Sequence, residues 1–272
     1  MKCLVIGMGS AGNRHVQVLT GMGHEVRQVS HRGGFAMGDE EYAVIACQTP
    51  QHAHWLKELD NFGFIGKCLV EKPLFMNAGE AYRPPFPVYV GYQLHFHPVI
   101  QALKAELQGA EVRSAHIYAG QHISLWGGTY HTDLSKGGGV LRDYSHELDL
   151  LAWLIGHPQV VECVRTPEQD CAGLLMGADK AIVSMQFNYL DQAPRREWVI
   201  NTDKGTLKAD LINSTLELNK VGEVPEFGRF IQPAIETTRL MHEDIIAGGT
   251  TACTYDYGLA INCLIDSIEG GV

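Results

Sequence analysis

The chain begins with the apolar run Cys3-Leu4-Val5-Ile6, a GxGxxG turn at Gly7, Gly9 and Gly12, and a segment from Ser10 to Thr20 with apolar residues at helical spacing. Strand, glycine turn and helix in this order open a dinucleotide-binding βαβ unit. Gly7 permits a tight turn, Gly9 lets the backbone approach a pyrophosphate, and Gly12 lets the helix pack against the strand. The N–H groups of Ser10, Ala11 and Gly12 then face the phosphates from the positive end of the helix.

The rest of the first part continues the pattern. Glu25-Val-Arg-Gln-Val-Ser30, Tyr42-Ala-Val-Ile-Ala-Cys47, Lys67-Cys-Leu-Val70 and Pro87-Val-Tyr-Val-Gly-Tyr92 read as strands, and Gln51 to Phe62 as a helix. Alternating strands and helices predict a doubly wound parallel Rossmann sheet. The segment 31–41 is barely long enough for a crossover helix, so that edge is expected to be small or irregular.

Beyond residue 93 the pattern changes. A helix at 98–108 precedes strands at 111–119, 159–165, 172–177, 180–188, 196–201, 205–210 and 214–219, several joined by short turns. Helices at 234–247 and 256–268 close the chain. The expected fold class is α/β: a dinucleotide-binding domain over 1–92, then an α+β domain over 93–272 with a large, mostly antiparallel open sheet. That second domain is expected to bind substrate and to form a homo-oligomer through its sheet, because few helices remain to cover it.

At 272 residues the chain can bury a sizeable core. Its formal net charge of −10 and its lack of Lys/Arg clusters argue against a nucleic-acid or anionic-membrane partner, and no apolar run is long enough to span a membrane. The seven cysteines form no CxxC pair, and the N-terminus reads as a first strand and not a signal peptide. A cytoplasmic location is expected. His52-x-His54 and His95-x-His97 would each point two imidazoles to one face of a strand. No third ligand is identifiable by spacing, so no metal site is expected.

Three clusters could carry chemistry. Ser30-His31-Arg32 follows the second strand, where an NAD site usually has a carboxylate; the arginine favours NADP over NAD, although it could equally be a solvated loop residue. Glu71-Lys72-Pro73 follows the strand ending at Val70, at the carboxyl edge where ligands bind in such sheets; by itself the pair could be a surface salt bridge. The third cluster, Gly137 to Asp149, contains Asp143 and His146. A helix beginning near Asp143 would place Asp143, His146 and Leu150 on one face. An imidazole in a helix's first turn is disfavoured as a cation and so is poised as a neutral base. His146 alone could equally be a hydrogen-bonded core histidine.

Gly7 to His15, Thr49-Pro-Gln-His-Ala-His54, Glu71-Lys72-Pro73 and Gly137 to Asp149 occur in the order, and near the spacing, of the Gfo/Idh/MocA family, which the chain resembles. The resemblance implies an NAD(P)-dependent oxidoreductase acting on a secondary alcohol or ketone of a sugar, sugar nucleotide or related polyol. Lys72 would be its active-site lysine, following an often cis Lys-Pro bond. Glu71 would lie by the nicotinamide, Thr49, Pro50 and His54 would line the cofactor, and His146 would be the catalytic histidine with Asp143 its acidic neighbour. The spacing here is Asp-x-x-His where the family commonly has Asp-x-x-x-His. This form, with Trp126, Tyr130 and Gly91 to Pro98, resembles the branch linked to bacterial surface-sugar pathways. Gln93, His97, Trp126, Tyr130 and His131 are candidate substrate contacts. A catalytically inactive NAD(P)-sensing protein on the same fold is the alternative, and the presence of both Lys72 and His146 argues against it.

Overall fold

The computed structural model describes residues 1–30, 32–33, 36–125 and 131–270. His31, Trp126 and Tyr130 lie outside the described residues. In chain order the elements are β1 (Lys2–Ile6), α1 (Ser10–Gly21), β2 (Glu25–Val29), β3 (Tyr42–Ile45), α2 (His52–Asn61), β4 (Lys67–Val70), β5 (Val88–Val90), α3 (Pro98–Leu107) and β6 (Val112–Gly120). They continue with α4 (Val140–Asp143), α5 (Ser145–Leu154), β7 (Pro158–Arg165), β8 (Cys171–Ala178), β9 (Ala181–Asn188), β10 (Arg195–Thr202), β11 (Gly205–Asp210), β12 (Thr215–Asn219), β13 (Glu226–Arg229), α6 (Ala234–Ala247), β14 (Cys253–Thr254) and α7 (Tyr255–Gly270). The α/β class and the two kinds of sheet are as expected from the sequence.

The chain forms two compact units. The first comprises Met1–Phe96, Ser135–Gly137 and Pro233–Cys263, so α6 and most of α7 belong with the N-terminal strands. Its six-stranded sheet runs β14-β5-β4-β3-β1-β2, parallel except for the short edge strand β14. Strands β1, β3 and β4 are apolar and almost entirely buried, as parallel strands covered on both faces must be. Met241 and Ile245 of α6 pack with Cys3, Val5, Leu19, Tyr42, Val44 and Leu69 in one core cluster. Lys67 Nζ holds the C-terminus of α6 through the carbonyls of Ile245 at 2.8 Å and Ile246 at 3.0 Å, a cation meeting the negative end of the helix. Between β2 and β3 no helix forms among the described residues; instead Arg27 pairs with Glu40 and Lys2 with Asp39.

The second unit comprises His97–Leu134, Gly138–Gln232 and Leu264–Val272. Its eight-stranded sheet runs β13-β12-β11-β10-β6-β9-β8-β7, and β6 with β9 is the parallel pair in an otherwise antiparallel ladder. β13 was not legible in the sequence, because Glu226-Phe-Gly-Arg229 carries little apolar alternation. Among the described residues no helix is long and apolar enough to cross a membrane.

Candidate functional site

In the first unit, three strands lead to the same carboxyl edge: β1 to Gly7, β3 to Thr49 and β4 to Glu71-Lys72. The sheet's winding reverses between β1 and β3, which is where open α/β sheets bind ligands. The glycines have distinct roles. Gly7 has φ +135°, and a Cβ there would sit 2.3 Å from the Ala46 carbonyl oxygen, while a Cβ on Gly12 would sit 2.3 Å from that of Gly7. Gly9 has nothing within 4 Å of its Cβ position, and no side chain caps the N-terminus of α1. The open space above Gly9 and the uncapped first turn, where Ser10 is exposed, fit a diphosphate. Gln28 Nε2 secures the turn from below by donating to the Gly7 carbonyl at 2.8 Å.

The other expected cofactor residues fall around this edge unevenly. Thr49 is buried, and a Cβ on Gly137 would come within 2.7 Å of its side chain, so the first glycine of the Gly137-Gly-Gly139 run closes over it. Pro50 is exposed. Ser30 Oγ accepts from the backbone N–H of Arg32, whose side chain is exposed. His54 faces solvent and packs against Trp55. The buried histidine of that motif is His52, whose Nε2 lies 3.2 Å from the Cys47 carbonyl and Nδ1 3.1 Å from that of Leu74. Both residues lie on helix α2, where an i, i+2 pair points to different sides, so the strand geometry expected for His52 and His54 does not apply. His95 likewise sits on a single helical turn, with Gln93, immediately before α3, and His95 Nδ1 is hydrogen-bonded to the Thr251 carbonyl. Among the described residues no group of three potential metal ligands occurs.

Lys72 precedes a cis peptide bond to Pro73. Beside it, Glu71 is held on both oxygens. Oε1 accepts from Arg14 at 3.2 Å and from His15 Nε2 at 2.9 Å, and Oε2 from the Lys72 backbone N–H at 3.3 Å. Gly91 makes room for this carboxylate, since a Cβ there would meet Oε2 at 3.0 Å. Burial pushes the Glu71 carboxyl up, but the His15 hydrogen bond and the cations Arg14 and Lys72 outweigh it and hold the group well below the usual carboxylate range.

In the second unit the expected single helix near Asp143 is two. α4 ends at Asp143 and α5 starts at Ser145, with Tyr144 at φ −90° and ψ 20° between them. The Tyr144 ring at the break stacks on Phe187, at 5.5 Å between centroids. Asp143 therefore ends one helix and His146 lies in the first turn of the next. His146 keeps its place in the first turn of α5 and is 7 % exposed. Asp143 accepts on Oδ2 from His131 Nδ1 at 2.7 Å and from the Tyr189 hydroxyl. The residue after His146, Glu147, is fully buried and forms a two-pronged pair with Arg196 at 2.5 and 3.0 Å. His97 precedes α3; burial and the positive Arg196 push its imidazole down to about 4.

His131, Asp143 and His146 thus belong to the second unit, and Lys72, Thr49 and the glycine turn to the first. The sequence assigns no role to His15 and His242 in the first unit or to Tyr189 and Arg196 in the second. Each partners a residue far away in the chain, so local spacing carries no trace of it.

The family model for the C-terminal α/β domain of the Gfo/Idh/MocA oxidoreductase family matches residues 114–193, in agreement with the resemblance drawn from the motifs. No curated protein matches the chain in sequence. Among solved structures, the chain is similar to UDP-N-acetylglucosamine 3-dehydrogenase GnnA from Acidithiobacillus ferrooxidans: TM-score 0.82, 17 % identity, covering 100 % of this chain and 97 % of that one. Levoglucosan dehydrogenase in complex with NADH and levoglucosan superposes with TM-score 0.86 at 14 % identity, over 99 % of this chain and 96 % of that one. The WlbA dehydrogenase from Bordetella pertussis, in complex with NADH and UDP-GlcNAcA, gives 0.81 at 17 %, over 99 % and 94 %.

Proposed function

We infer that this chain, which carries the C-terminal domain of the Gfo/Idh/MocA oxidoreductase family, is a nicotinamide-dependent dehydrogenase that oxidises or forms a secondary alcohol on a sugar or sugar nucleotide. The observation that carries the reading is the carboxyl edge of the parallel sheet. There an uncapped helix N-terminus above Gly9 lies one strand away from Thr49 and two from Lys72. The fold neighbours GnnA, WlbA and levoglucosan dehydrogenase, two of them in complex with NADH, support the same reaction class.

A bound nicotinamide dinucleotide supplies the hydride acceptor or donor. The chain's own residues do the rest. Gly7, Gly9, Ser10, Ala11 and Gly12 hold the diphosphate, and Thr49 and Pro50 line the next strand end. Lys72 binds and polarises the reacting oxygen, while Glu71, fixed as a carboxylate, sets the turn from which Lys72 projects. His146 takes the hydroxyl proton in oxidation and returns it in reduction. Asp143 orients His131 toward the substrate rather than acting on the proton itself, with Gln93 and His97 as further candidate substrate contacts. The end of β2 offers Ser30 and Arg32 and no carboxylate, which favours NADP over NAD.

Two further assignments complete the reading. The seven free cysteines suit a reducing compartment, the cytoplasm. A second copy of this chain covers the outer face of the eight-stranded sheet, where Val164, Leu175 and Ile182 are 66 %, 42 % and 67 % exposed. Light scattering on the purified protein tests the assembly, and a monomeric mass would overturn it. The reaction is tested with a panel of sugars and UDP-sugars under NAD and NADP. Tight cofactor binding with no oxidation or reduction of any of them would favour the sensing alternative.

A further inference from the structure

Behind Glu71 a file of buried polar side chains runs into the core of the first unit. His15 on α1 touches Glu71 Oε1 through Nε2 at 2.9 Å and His242 of α6 through Nδ1 at 2.8 Å. The far side of His242, Nδ1, lies 2.8 Å from the hydroxyl of Tyr42 on β3. His15 is 1 % exposed, and His242 and Tyr42 are both fully buried. Residues 42, 15 and 242 come from a strand and two helices, and the sequence gives no reason to join them.

The proton count fixes the direction of the file. The hydroxyl of Tyr42 has His242 Nδ1 as its hydrogen-bond partner, and a buried phenol needs an acceptor, so Nδ1 of His242 accepts. The proton of His242 then sits on Nε2 and is donated to Nδ1 of His15. That leaves the proton of His15 on Nε2, donated to the carboxylate. Three protons fill three hydrogen bonds, all pointing toward Glu71. A second proton on His15 would set N–H against N–H at His242.

We propose that Tyr42, His242 and His15 form a one-way hydrogen-bonded chain that holds Glu71 as an oriented carboxylate beside Lys72, and that they serve as positioning residues for the site. The effect on turnover rests on the dehydrogenase reading; the hydrogen-bond chain itself does not. Its surroundings favour the neutral form of its middle member. Burial holds the His242 imidazole well below its usual range, and the positive Arg14 on α1 presses the same way against the opposing charge of Glu71. Burial holds the Tyr42 hydroxyl above its usual range, which keeps it a donor. The helix that supplies His242 lies late in the chain, and α6 reaches Glu71 through two imidazoles.

The first test needs no cofactor. Long-range 1H–15N spectra of histidine-labelled protein should show His15 and His242 both as Nε2–H tautomers between about pH 6 and 8. An Nδ1–H form or an imidazolium at His242 in that range would overturn the proposal. The second test is kinetic. His242→Leu removes both the donor and the acceptor, whereas His242→Gln keeps an amide N–H for His15 and a carbonyl oxygen for Tyr42. His242→Leu should lower kcat about tenfold and leave the sugar KM within about twofold; His242→Gln should recover most of the loss. Equal losses in the two variants, in step with melting temperature, would mean a packing role and sink the proposal. Tyr42→Phe removes a single oxygen and guards against misfolding of the others: kcat should fall in the same direction with the sugar KM little changed, and an unchanged kcat would count against the proposal. Absence of turnover in the unaltered protein would defeat the dehydrogenase reading, and the tautomer spectra would still decide the chain.

Discussion

His131 and Tyr189 converge on one oxygen, Oδ2 of Asp143, so that the carboxylate is held by a buried hydroxyl on one side and orients an imidazole on the other. This arrangement makes Asp143 an anchor for His131. Asp143→Asn keeps an oxygen that can accept from both donors but removes the carboxylate charge that strengthens them, and kcat/KM for the sugar should fall about tenfold or more. Tyr189→Phe leaves the His131 contact in place and should cost no more than about threefold. Steady-state kinetics on the two variants checks the order, which reverses if Tyr189 is itself the proton donor to substrate.

Gly9 separates cofactor binding from folding. Its φ of −82° is open to any residue, and a Cβ there meets nothing within 4 Å. Gly9→Ala should therefore leave the melting temperature of the cofactor-free protein nearly unchanged, within about 0.5 kcal/mol of stability, while weakening nicotinamide dinucleotide binding. Gly12→Ala, whose Cβ would meet the Gly7 carbonyl at 2.3 Å, should lose both. Scanning calorimetry paired with titration of NADPH distinguishes them.

Asn262 on α7 pairs with both backbone groups of Phe75, accepting from its N–H at 3.1 Å and donating to its carbonyl at 2.7 Å. This bridge fixes the loop that follows Lys72-Pro73. With Asn262 only 1 % exposed, Asn262→Leu leaves two buried backbone groups unsatisfied and should destabilise the protein by about 2 kcal/mol in urea unfolding. A change within about 0.5 kcal/mol would show that the loop is held by other contacts.

Acid should destabilise the fold before its carboxylates titrate. The folded imidazole of His97 is held at about 4, below its usual 6.5, and that of His242 is also lowered, so below pH 6.5 the unfolded chain binds protons that the folded chain does not. The stability these two provide is complete above pH 6.5 and is lost as the pH falls toward the folded values. Glu71, lowered from 4.5, adds a further loss below that pH. Unfolding free energy measured from pH 7 to 4 should fall steadily, and His97→Gln should flatten the slope by up to about one proton's worth. An unchanged slope in that variant would assign the titration elsewhere.

The sequence made legible whatever depends on local period and turn chemistry. Glycines 7, 9 and 12, the α6 limits at 234 and 247, and seven strands of the larger sheet followed from it, because apolar spacing and glycine geometry are short-range. What failed was long-range. Nothing near Asp143 shows that Tyr144 separates two helices and stacks on Phe187, or that Asp143 takes His131 and Tyr189 as partners. Burial reversed His52 and His54, since a two-residue offset on α2 moves a side chain from the core to the surface. α6 joining the first unit follows from Met241 and Ile245 packing on the parallel sheet, a match of surfaces that no sequence window contains.

Thermal shift with the two dinucleotides tests the cofactor choice. Arg32, in a segment with no carboxylate, should make NADPH the stronger stabiliser. Greater stabilisation by NADH would leave Arg32 as a solvated loop residue.

Hydride transfer is followed most directly at 340 nm across sugars and UDP-sugars with the unaltered protein, Lys72→Ala and His146→Ala. The unaltered protein should oxidise or reduce at least one substrate, and kcat should fall about 10²-fold or more in each variant with cofactor binding retained. Turnover that survives both substitutions would contradict the roles given to Lys72 and His146.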